Sequence, residues 1–292
     1  MQDFSQSNLE DSLKYDLESR LDAALYVVAT PIGNLQDMTF RALEVLKNAD
    51  YVVCEDTRVT AKLFRHYEIK DKKFIIYNDH GDEKTREKIL NYVIQGAVVA
   101  LVSDAGTPLV SDPGYKLVRY VKKFNQKVIP IPGASSVIAA LCASGLACDN
   151  FAFLGFLPTT KVQKVNLLQS LPKGMTTIFF ESANRIISTL ENITQTLGNR
   201  NVVIAKEITK IHEEIIADKA HNLSDFFTKN PQKLRGEFVI IIEKADKSEK
   251  SLEKDALIQE INNAIGAGFT IKELSKNLAD IYDLNKKDIY QL

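Results

Sequence analysis

Four short segments of the sequence carry residues that suit the binding of a small polar ligand. Each follows an apolar run of strand length, and three of the four contain both glycine and proline. They are Thr30-Pro31-Ile32-Gly33-Asn34, Glu55-Asp56-Thr57-Arg58, Ser103-Asp104-Ala105-Gly106-Thr107-Pro108 and Pro132-Gly133-Ala134-Ser135. Glycine lets backbone approach a ligand closely, while hydroxyl and carboxylate groups supply hydrogen bonds. The chemistry indicated is the binding of one small polar cofactor.

Each segment also has a purely structural interpretation. Asp56 either holds a ribose hydroxyl or caps the helix that follows. Asp112 followed by Pro113 fits a helix N-cap and a first helical residue. Ser135 either caps a helix or lies beside free backbone amides that suit a carboxylate. The loop from Ser103 to Gly114 holds two clusters of polar, glycine and proline residues, and this favours ligand binding over a plain turn.

Several common sites are absent from the sequence. It has no Gly-x-Gly-x-x-Gly dinucleotide fingerprint and no Gly-Lys-Ser/Thr phosphate loop. Its three cysteines, Cys54, Cys142 and Cys148, are scattered and form no Cys-x-x-Cys pair. This pattern argues against a disulfide framework and against zinc, so no metal is expected.

The elements that must position these segments form an alternating pattern. Five apolar runs of strand length alternate with helix-period segments, which predicts an open, mostly parallel α/β sheet. The predicted strands are 25–30, 51–54, 74–77, 98–102 and 128–131. Ligands bind beyond the carboxyl ends of such strands. We expect the loops after the fourth and fifth strands to be neighbours and to form one cleft.

The rest of the chain divides into further units. Residues 1–24 form an acidic N-terminal extension, and residues 25–147 form the first α/β lobe. A second α/β lobe with a mixed sheet is expected over 148–244, followed by a charged linker. Residues 251–292 are expected to form a small helical domain. Its last two helices have helix-turn-helix spacing, but its acidic charge favours a structural cap over a DNA-binding role.

The bulk composition is that of an ordinary globular protein. Hydrophobic residues make up 45% of the 292 residues, charged residues 26%, and the net charge is −1. Residues 25–235 hold 27 bases and 21 acids, whereas both ends are acidic. The first 24 residues lack the apolar core of a signal peptide, and no apolar run approaches membrane-spanning length. We therefore expect a soluble cytoplasmic protein.

Several strings, in order along residues 25–243, resemble the ribosomal RNA small-subunit methyltransferase I family of the tetrapyrrole-methylase superfamily. The resemblance begins with Leu25–Asp37 and continues through the second and third segments described above. It then includes Ser111-Asp112-Pro113-Gly114, Glu181-Ser182-Ala183-Asn184-Arg185, Lys206-Glu207-Ile208-Thr209-Lys210 and Gly236-Glu237-Phe238-Val239. Each string is short, but together the match is highly specific.

This resemblance implies a two-lobed tetrapyrrole-methylase-like fold with S-adenosylmethionine in the cleft between the lobes. Members of the family act as homodimers and methylate the 2′-hydroxyl of a cytidine in the decoding region of 16S ribosomal RNA, within the small ribosomal subunit. The implied cofactor residues are Pro31, Ser103, Asp104, Ala105, Gly106, Thr107, Pro108, Pro132, Gly133, Ala134 and Ser135. Under this resemblance Asp56 is no longer expected to bind the ribose of the cofactor, and it becomes a candidate residue on the side of the methyl acceptor.

A ribose hydroxyl is a weak nucleophile, so the reaction needs a general base or a cation that stabilises the developing alkoxide. The candidates are Glu181, Arg185, Lys206, Glu207 and Asp56. A solvated salt-bridge network is an equally good interpretation of any one of them.

Residues 151–235 carry 11 bases against 7 acids, which makes the second lobe the expected RNA face. The expected phosphate contacts are Arg58, Lys161, Lys164, Lys210, Lys233 and Arg235. Two alternatives remain open at this point: a small-molecule methylase of the same fold that acts on a tetrapyrrole, and a non-enzymatic RNA-binding module.

Overall fold

The computed structural model describes residues 21–79, 83–172 and 174–245, together with residues 258, 259, 261, 262, 265, 266, 270, 271, 274 and 275. Nearly all of the acidic extension over 1–24 and most of the helical domain expected over 251–292 lie outside these described residues. The description below therefore concerns the two α/β lobes.

The first lobe is built on a parallel sheet of five strands. These are β1 (Ala24–Val28), β2 (Tyr51–Cys54), β3 (Lys73–Ile76), β4 (Val98–Leu101) and β5 (Val128–Ile131), in the order β3-β2-β4-β1-β5. Five helices alternate with them: α1 (Phe40–Asn48), α2 (Thr57–His66), α3 (Glu83–Ile94), α4 (Tyr115–Lys123) and α5 (Ser136–Ala143).

Both faces of this sheet are covered, which explains why its strands are continuously apolar. Helices α1 and α2 pack on one face through residues such as Val45 and Phe64. Helices α3 and α4 pack on the opposite face through Ile89 and Leu117. The carboxyl edge of the sheet is left free for the loops that carry polar residues.

The second lobe contains a mixed sheet of five strands: β6 (Phe151–Phe156), β7 (Thr176–Ser182), β8 (Asn201–Lys206), β9 (Glu214–Lys219) and β10 (Glu237–Ile242). Their order is β6-β7-β10-β8-β9, with only β6 and β7 parallel to each other. Three helices accompany it: α6 (Lys161–Gln169), α7 (Ile186–Leu197) and α8 (Ala220–Lys229).

Helix α5 joins the two lobes. Its residues Val137, Ala140 and Leu141 pack with Ile178 and Val203 on one face of the second sheet. Helices α6, α7 and α8 cover the other face. The end of α5 that begins at Ser136 thus lies where the loops of the first lobe meet the second sheet.

The predicted elements are found with ends shifted by a few residues, but two details were wrong. Strands β4 and β5 are not neighbours, because β1 hydrogen-bonds to both of them. Helix α4 begins at Tyr115 rather than at Pro113, because Gly114 adopts a φ of 133° before the first helical turn. Asp112 is therefore not the N-cap of this helix.

Within the part of the chain that the structure describes, no helix is long and apolar enough to cross a membrane.

Candidate functional site

Three loops at the carboxyl edge of the first sheet are joined by direct hydrogen bonds. The amide of Thr30 donates to the Gly106 carbonyl at 2.9 Å, and the Gly106 amide donates to the Thr30 carbonyl at 3.0 Å. The Thr107 hydroxyl donates to the carbonyl of Ala134 at 3.0 Å. The loop after β4 is therefore hydrogen-bonded to the loops after β1 and β5, although strand β1 lies between β4 and β5 in the sheet.

The backbone of the loop after β4 is unusual. Gly106, Leu109, Ser111 and Gly114 all have positive φ, at 78°, 75°, 66° and 133°. A left-handed conformation is costly for non-glycine residues such as Leu109 and Ser111, and it persists only where the surroundings enforce it. Strain of this kind is concentrated at ligand sites, so we take it as a sign of function in this loop.

Glycine is also required beside the loop after β5. A Cβ at Gly133 would lie 2.9 Å from the Cβ of Ala29, closer than real side chains approach each other. This contact lets the chain after β5 pass directly over the end of β1. The two glycine-bearing loops can therefore flank one space.

That space is a cleft of about 440 Å³ between the two lobes. Its volume is within the range of small-molecule sites, about 300–1,000 Å³. Residues 104–107, 110–112 and 135–137 line the side of the first lobe. The apolar part of the wall consists of Ile32, Val110, Val137, Phe156, Phe180, Ile208, Phe238 and Val239.

All the ionisable side chains that line the cleft are acidic. They are Asp104, Asp112, Glu181 and Glu237, and no lysine, arginine or histidine joins them among the described residues. Glu181 and Glu237 are ion-paired with Arg185 and Lys210, so the negative charge of this lining comes from Asp104 and Asp112, and it attracts a cation and repels a phosphate. It therefore suits a small polar ligand that carries positive charge.

The surroundings of Asp112 in the cleft shift its pKa. Burial raises its pKa above the ordinary value of 3.8, and the negative charges of Glu55 and Asp104 raise it further, against a hydrogen bond from Ser103 that lowers it. A carboxylate with a raised pKa is a stronger base than an ordinary one.

Glu181 lies in a buried ionic network. Its Oε1 accepts from the Ser182 amide at 2.9 Å and lies 2.6 Å from Nη2 of Arg185. Its Oε2 accepts from the Thr189 hydroxyl at 2.7 Å, and that hydroxyl accepts from Nζ of Lys164 at 2.7 Å. Both carboxylate oxygens are occupied, so Glu181 acts as the anchor of Arg185 and Lys164.

This network corrects the expected role of Lys164. The residue is only 3% exposed, and its ammonium is directed at Thr189 and Glu181 rather than at solvent. Burial lowers the pKa of Lys164, against the charge of Glu181, which raises it. A lysine enclosed in this way cannot contact an RNA phosphate.

Lys206 and Glu207 have different surroundings although they are adjacent. Side chains alternate between the faces of a strand, which places Lys206 on the same face as Ile204, against α6, α7 and α8. The carboxylate of Glu207 accepts from the Glu237 amide at 2.9 Å and from Nζ of Lys210 at 2.8 Å. Desolvation acts to raise the pKa of Glu207, but these hydrogen bonds outweigh it and lower the pKa.

Asp56 caps α2, as one of its two interpretations predicted. Its side chain accepts from the Arg58 amide at 2.8 Å and forms an ion pair of 2.6 Å with the Arg58 guanidinium. These hydrogen bonds lower the pKa of Asp56 to about 2. A carboxylate of such low basicity is a poor proton acceptor.

The structure brings together part of the residue set expected from the sequence. Of the expected cofactor residues, Asp104, Ala105, Gly106, Thr107 and Ser135 line the cleft, whereas Pro31, Ser103, Pro108, Pro132, Gly133 and Ala134 do not. Of the expected catalytic residues, only Glu181 is part of the lining.

Sequence reasoning did not select Asp112, Phe156, Phe180 or Ile208 as site residues. Asp112 lies in the loop from Ser103 to Gly114 that the sequence had identified, but because Pro113 follows it, its expected role was that of a helix N-cap. The three apolar residues carry no signal of their own: Phe156 and Phe180 lie on strands, where apolar side chains are normally assigned to the core, and Ile208 lies in the turn after β8.

We expect the buried network to contribute strongly to stability. The change Lys164→Met should lower the free energy of unfolding by about 3 kcal/mol, because it leaves a buried carboxylate with one partner fewer. The matched control is Lys127→Met, which breaks the exposed pair with Asp22 and should change little. Urea denaturation of both variants checks this, and equal midpoints would contradict it.

Comparisons with known proteins agree with this geometry. The sequence profile described as "Tetrapyrrole (Corrin/Porphyrin) Methylases" matches residues 24–224. Proteins named "Ribosomal RNA small subunit methyltransferase I" are similar over nearly their whole length. The one from Pasteurella multocida is 42% identical, covering 94% of this chain and 97% of its own. The one from Bacillus subtilis is 37% identical, covering 91% and 92%.

Solved structures share the fold at low sequence identity. A cobalt precorrin-4 methyltransferase superposes with a TM-score of 0.55 at 19% identity, covering 76% of this chain and 95% of its own. A uroporphyrin-III C-methyltransferase from Thermus thermophilus, solved with S-adenosylhomocysteine, has a TM-score of 0.50 at 19% identity, covering 75% and 97%. The predicted two-lobed fold is confirmed. The chain therefore belongs to the tetrapyrrole (corrin/porphyrin) methylases and, among them, to the ribosomal RNA small subunit methyltransferase I family.

Proposed function

We propose that this protein transfers a methyl group from S-adenosylmethionine to a ribose 2′-hydroxyl of small-subunit ribosomal RNA. The observation that supports this cofactor is the cleft between the lobes, whose ionisable lining side chains are all acidic. The substrate rests on the relatives' names, which specify small-subunit ribosomal RNA. The position that the family implies is the 2′-hydroxyl of cytidine 1402 in 16S ribosomal RNA.

The lining fits the charge distribution of this cofactor. S-adenosylmethionine carries a sulfonium and an ammonium group, which Asp104 and Asp112 would attract. Ser135 at the start of α5 makes no side-chain cap. The amides of that helix start are therefore available to the cofactor carboxylate. The residues we propose to hold it are Ile32, 104–107, 110–112 and 135–137, supported by Pro31, Ser103, Pro108 and 132–134.

The protein must align the acceptor with the donor, exclude water and remove a proton. The bound cofactor supplies an activated methyl group, so the chain needs no metal for this step. We propose Asp112 as the residue that accepts the hydroxyl proton, because it lines the cleft and has a raised pKa. Asp56 and Glu181 are less suitable, since their carboxylates are held by strong donors.

On the RNA side, the exposed cations of the second lobe are the proposed phosphate contacts. Lys161 and Arg235 are exposed and have no ion pair among the described residues. Lys210 and Lys233 are partly neutralised by Glu207 and Glu214. We assign Arg185 to positioning beside the cleft, because Glu181 and Ser182 hold its guanidinium. Because the proposed substrate is the small ribosomal subunit, we expect the protein to act in the cytoplasm.

We also propose that the protein acts as a homodimer. Strand β6 lies at the edge of its sheet and exposes Phe151, Leu154 and Phe156. Exposed apolar side chains on an edge strand mark an association surface. Light scattering should give about twice the chain mass of 32.7 kDa, and a monomer at micromolar concentration would reject this proposal.

The function is tested with labelled S-adenosylmethionine and small ribosomal subunits that lack the modification. We expect one labelled ribose hydroxyl per subunit. Ala105→Trp should abolish both labelling and cofactor binding measured by calorimetry, because Ala105 is exposed in the cleft and an indole would fill it.

Ala143→Trp is the matched control for this variant. It adds the same side chain at an exposed position of α5 outside the cleft and should leave cofactor affinity unchanged. Normal cofactor binding by the Ala105 variant would remove the proposed site. Transfer to a tetrapyrrole and not to RNA would favour the small-molecule methylase. The cleft argues against that alternative, because no basic residue lines it in the described part of the chain.

Asp112→Asn tests the proposed base. We expect kcat at saturating cofactor to fall about a hundredfold, because the amide cannot accept the proton. Cofactor affinity should fall by less, because the amide no longer attracts the cationic cofactor. In the wild-type protein, kcat should fall as the pH drops through the raised pKa of Asp112, which lies above 3.8. This acidic limb should vanish in the variant, and an unaltered kcat would exclude Asp112 as the base.

A further inference from the structure

Helix α2 presents a row of basic side chains, which we define as Arg58, Lys62 and Arg65. The spacing of four and three residues places all three on one face of the helix, and each is exposed. The opposite face buries Thr60 and Phe64 in the first lobe. The helix contains no acidic residue. The row is thus a continuous positive strip about 10 Å long.

Most of the positive charge in this region is not neutralised. Lys62 and Arg65 form no ion pair among the described residues, and only Arg58 is paired, with Asp56. Residues 57–73 hold six bases and two acids, an excess of four. Residues 151–235 have the same excess over a far longer stretch, and there Lys164, Lys210 and Lys233 are all paired with acids. Among the described residues, the row thus keeps two unpaired cations, Lys62 and Arg65, whereas three cations of the second lobe are neutralised.

The row begins at the edge of the sheet from which the cleft-lining loops extend. Asp56 and Arg58 follow the carboxyl end of β2, the edge of the sheet where the cleft lies. The pKa of Arg58 is raised mainly by its hydrogen bond to Asp56, and also by the nearby charge of Asp104, which lines the cleft. Lys62 and Arg65 lie on the same face of α2 as Arg58, so the row extends from Arg58 along the helix.

The acidic lining of the cleft creates a difficulty for an RNA substrate. It suits the cationic cofactor, but it repels the phosphates on either side of the target ribose. Cations next to the cleft can offset this repulsion and hold the RNA backbone in place. Arg58, which is paired with Asp56, is the member of the basic row nearest Asp104, and the unpaired Lys62 and Arg65 continue the row along α2.

We propose that the basic row of α2 binds phosphates of the RNA strand whose target ribose enters the cleft. This inference rests on the proposed function, and it extends the phosphate contact expected at Arg58 to Lys62 and Arg65 on the first lobe. Phosphate contacts of this kind fix register and orientation without reading sequence.

The test is the double variant Lys62→Ala with Arg65→Ala, assayed by methylation of unmodified small subunits. We expect KM for the RNA substrate to rise about tenfold, while kcat stays within about twofold and cofactor affinity is unchanged. The slope of log affinity for an RNA fragment against log salt should become shallower by about 1.5, because two phosphate contacts are lost. Circular dichroism verifies folding.

The matched control is Arg119→Ala with Lys122→Ala. These residues are also exposed, lie on α4 and belong to the same lobe, but α4 covers the opposite face of the sheet. KM should stay at the wild-type value in this control. The charge-conserving variant Lys62→Arg with Arg65→Lys should also keep a KM close to wild type.

The outcomes separate this inference from the proposed function. If the wild-type protein labels no ribose in the subunit, the proposed function fails. If wild type is active but the Lys62/Arg65 variant matches the Arg119/Lys122 control in KM and salt slope, the row does not bind RNA. A defect on assembled subunits with normal binding of naked RNA would also overturn it, because it would indicate a contact with ribosomal protein.

Discussion

The pair of hydrogen bonds between Thr30 and Gly106 is the constraint on which the functional site depends. Without it, the loops after β1 and β4 would be separate irregular segments. With it, the loop after β4 is held over the end of β1, where Thr107 reaches the loop after β5. The positive φ of Gly106 and the missing side chain of Gly133 make this close approach possible. The strained conformations of Leu109 and Ser111 then follow from a loop fastened near one end.

The division of charge follows from this arrangement. The fastened loops direct Asp104 and Asp112 into the cleft, while the row on α2 places cations just outside it. A cofactor with a sulfonium centre and a polyanionic RNA have opposite electrostatic requirements. Separating acids and bases over a short distance lets one site meet both. The net charge of −1 does not reflect this division, because residues 25–235 hold six more bases than acids and the acidic ends offset them.

The second lobe contributes rigidity as well as surface. The network of Glu181, Arg185, Lys164 and Thr189 joins the end of β7 to α6 and α7. Such buried ions are held by several donors at once, and this suits a fixed support better than a proton acceptor. Glu181 and Arg185 are therefore proposed to support the site, whereas the proposed base, Asp112, comes from the first lobe.

The sequence by itself determined the strands, the helices and the loops that matter. Hydrophobic periodicity and the glycine and proline clusters are local properties, and they selected residues 103–108 and 132–135. The two loops do meet, through Thr107 and Ala134, but not because their strands are adjacent as the sequence had suggested. The family strings then identified the fold. Tertiary structure alone decided the order of the strands, since pairing of β1 with β4 and β5 depends on contacts between distant segments. It also decided which charges are buried. Lys164 and Lys161 are the same residue type on one helix, but only the packing of α6 against α7 encloses the former and leaves the latter in solvent.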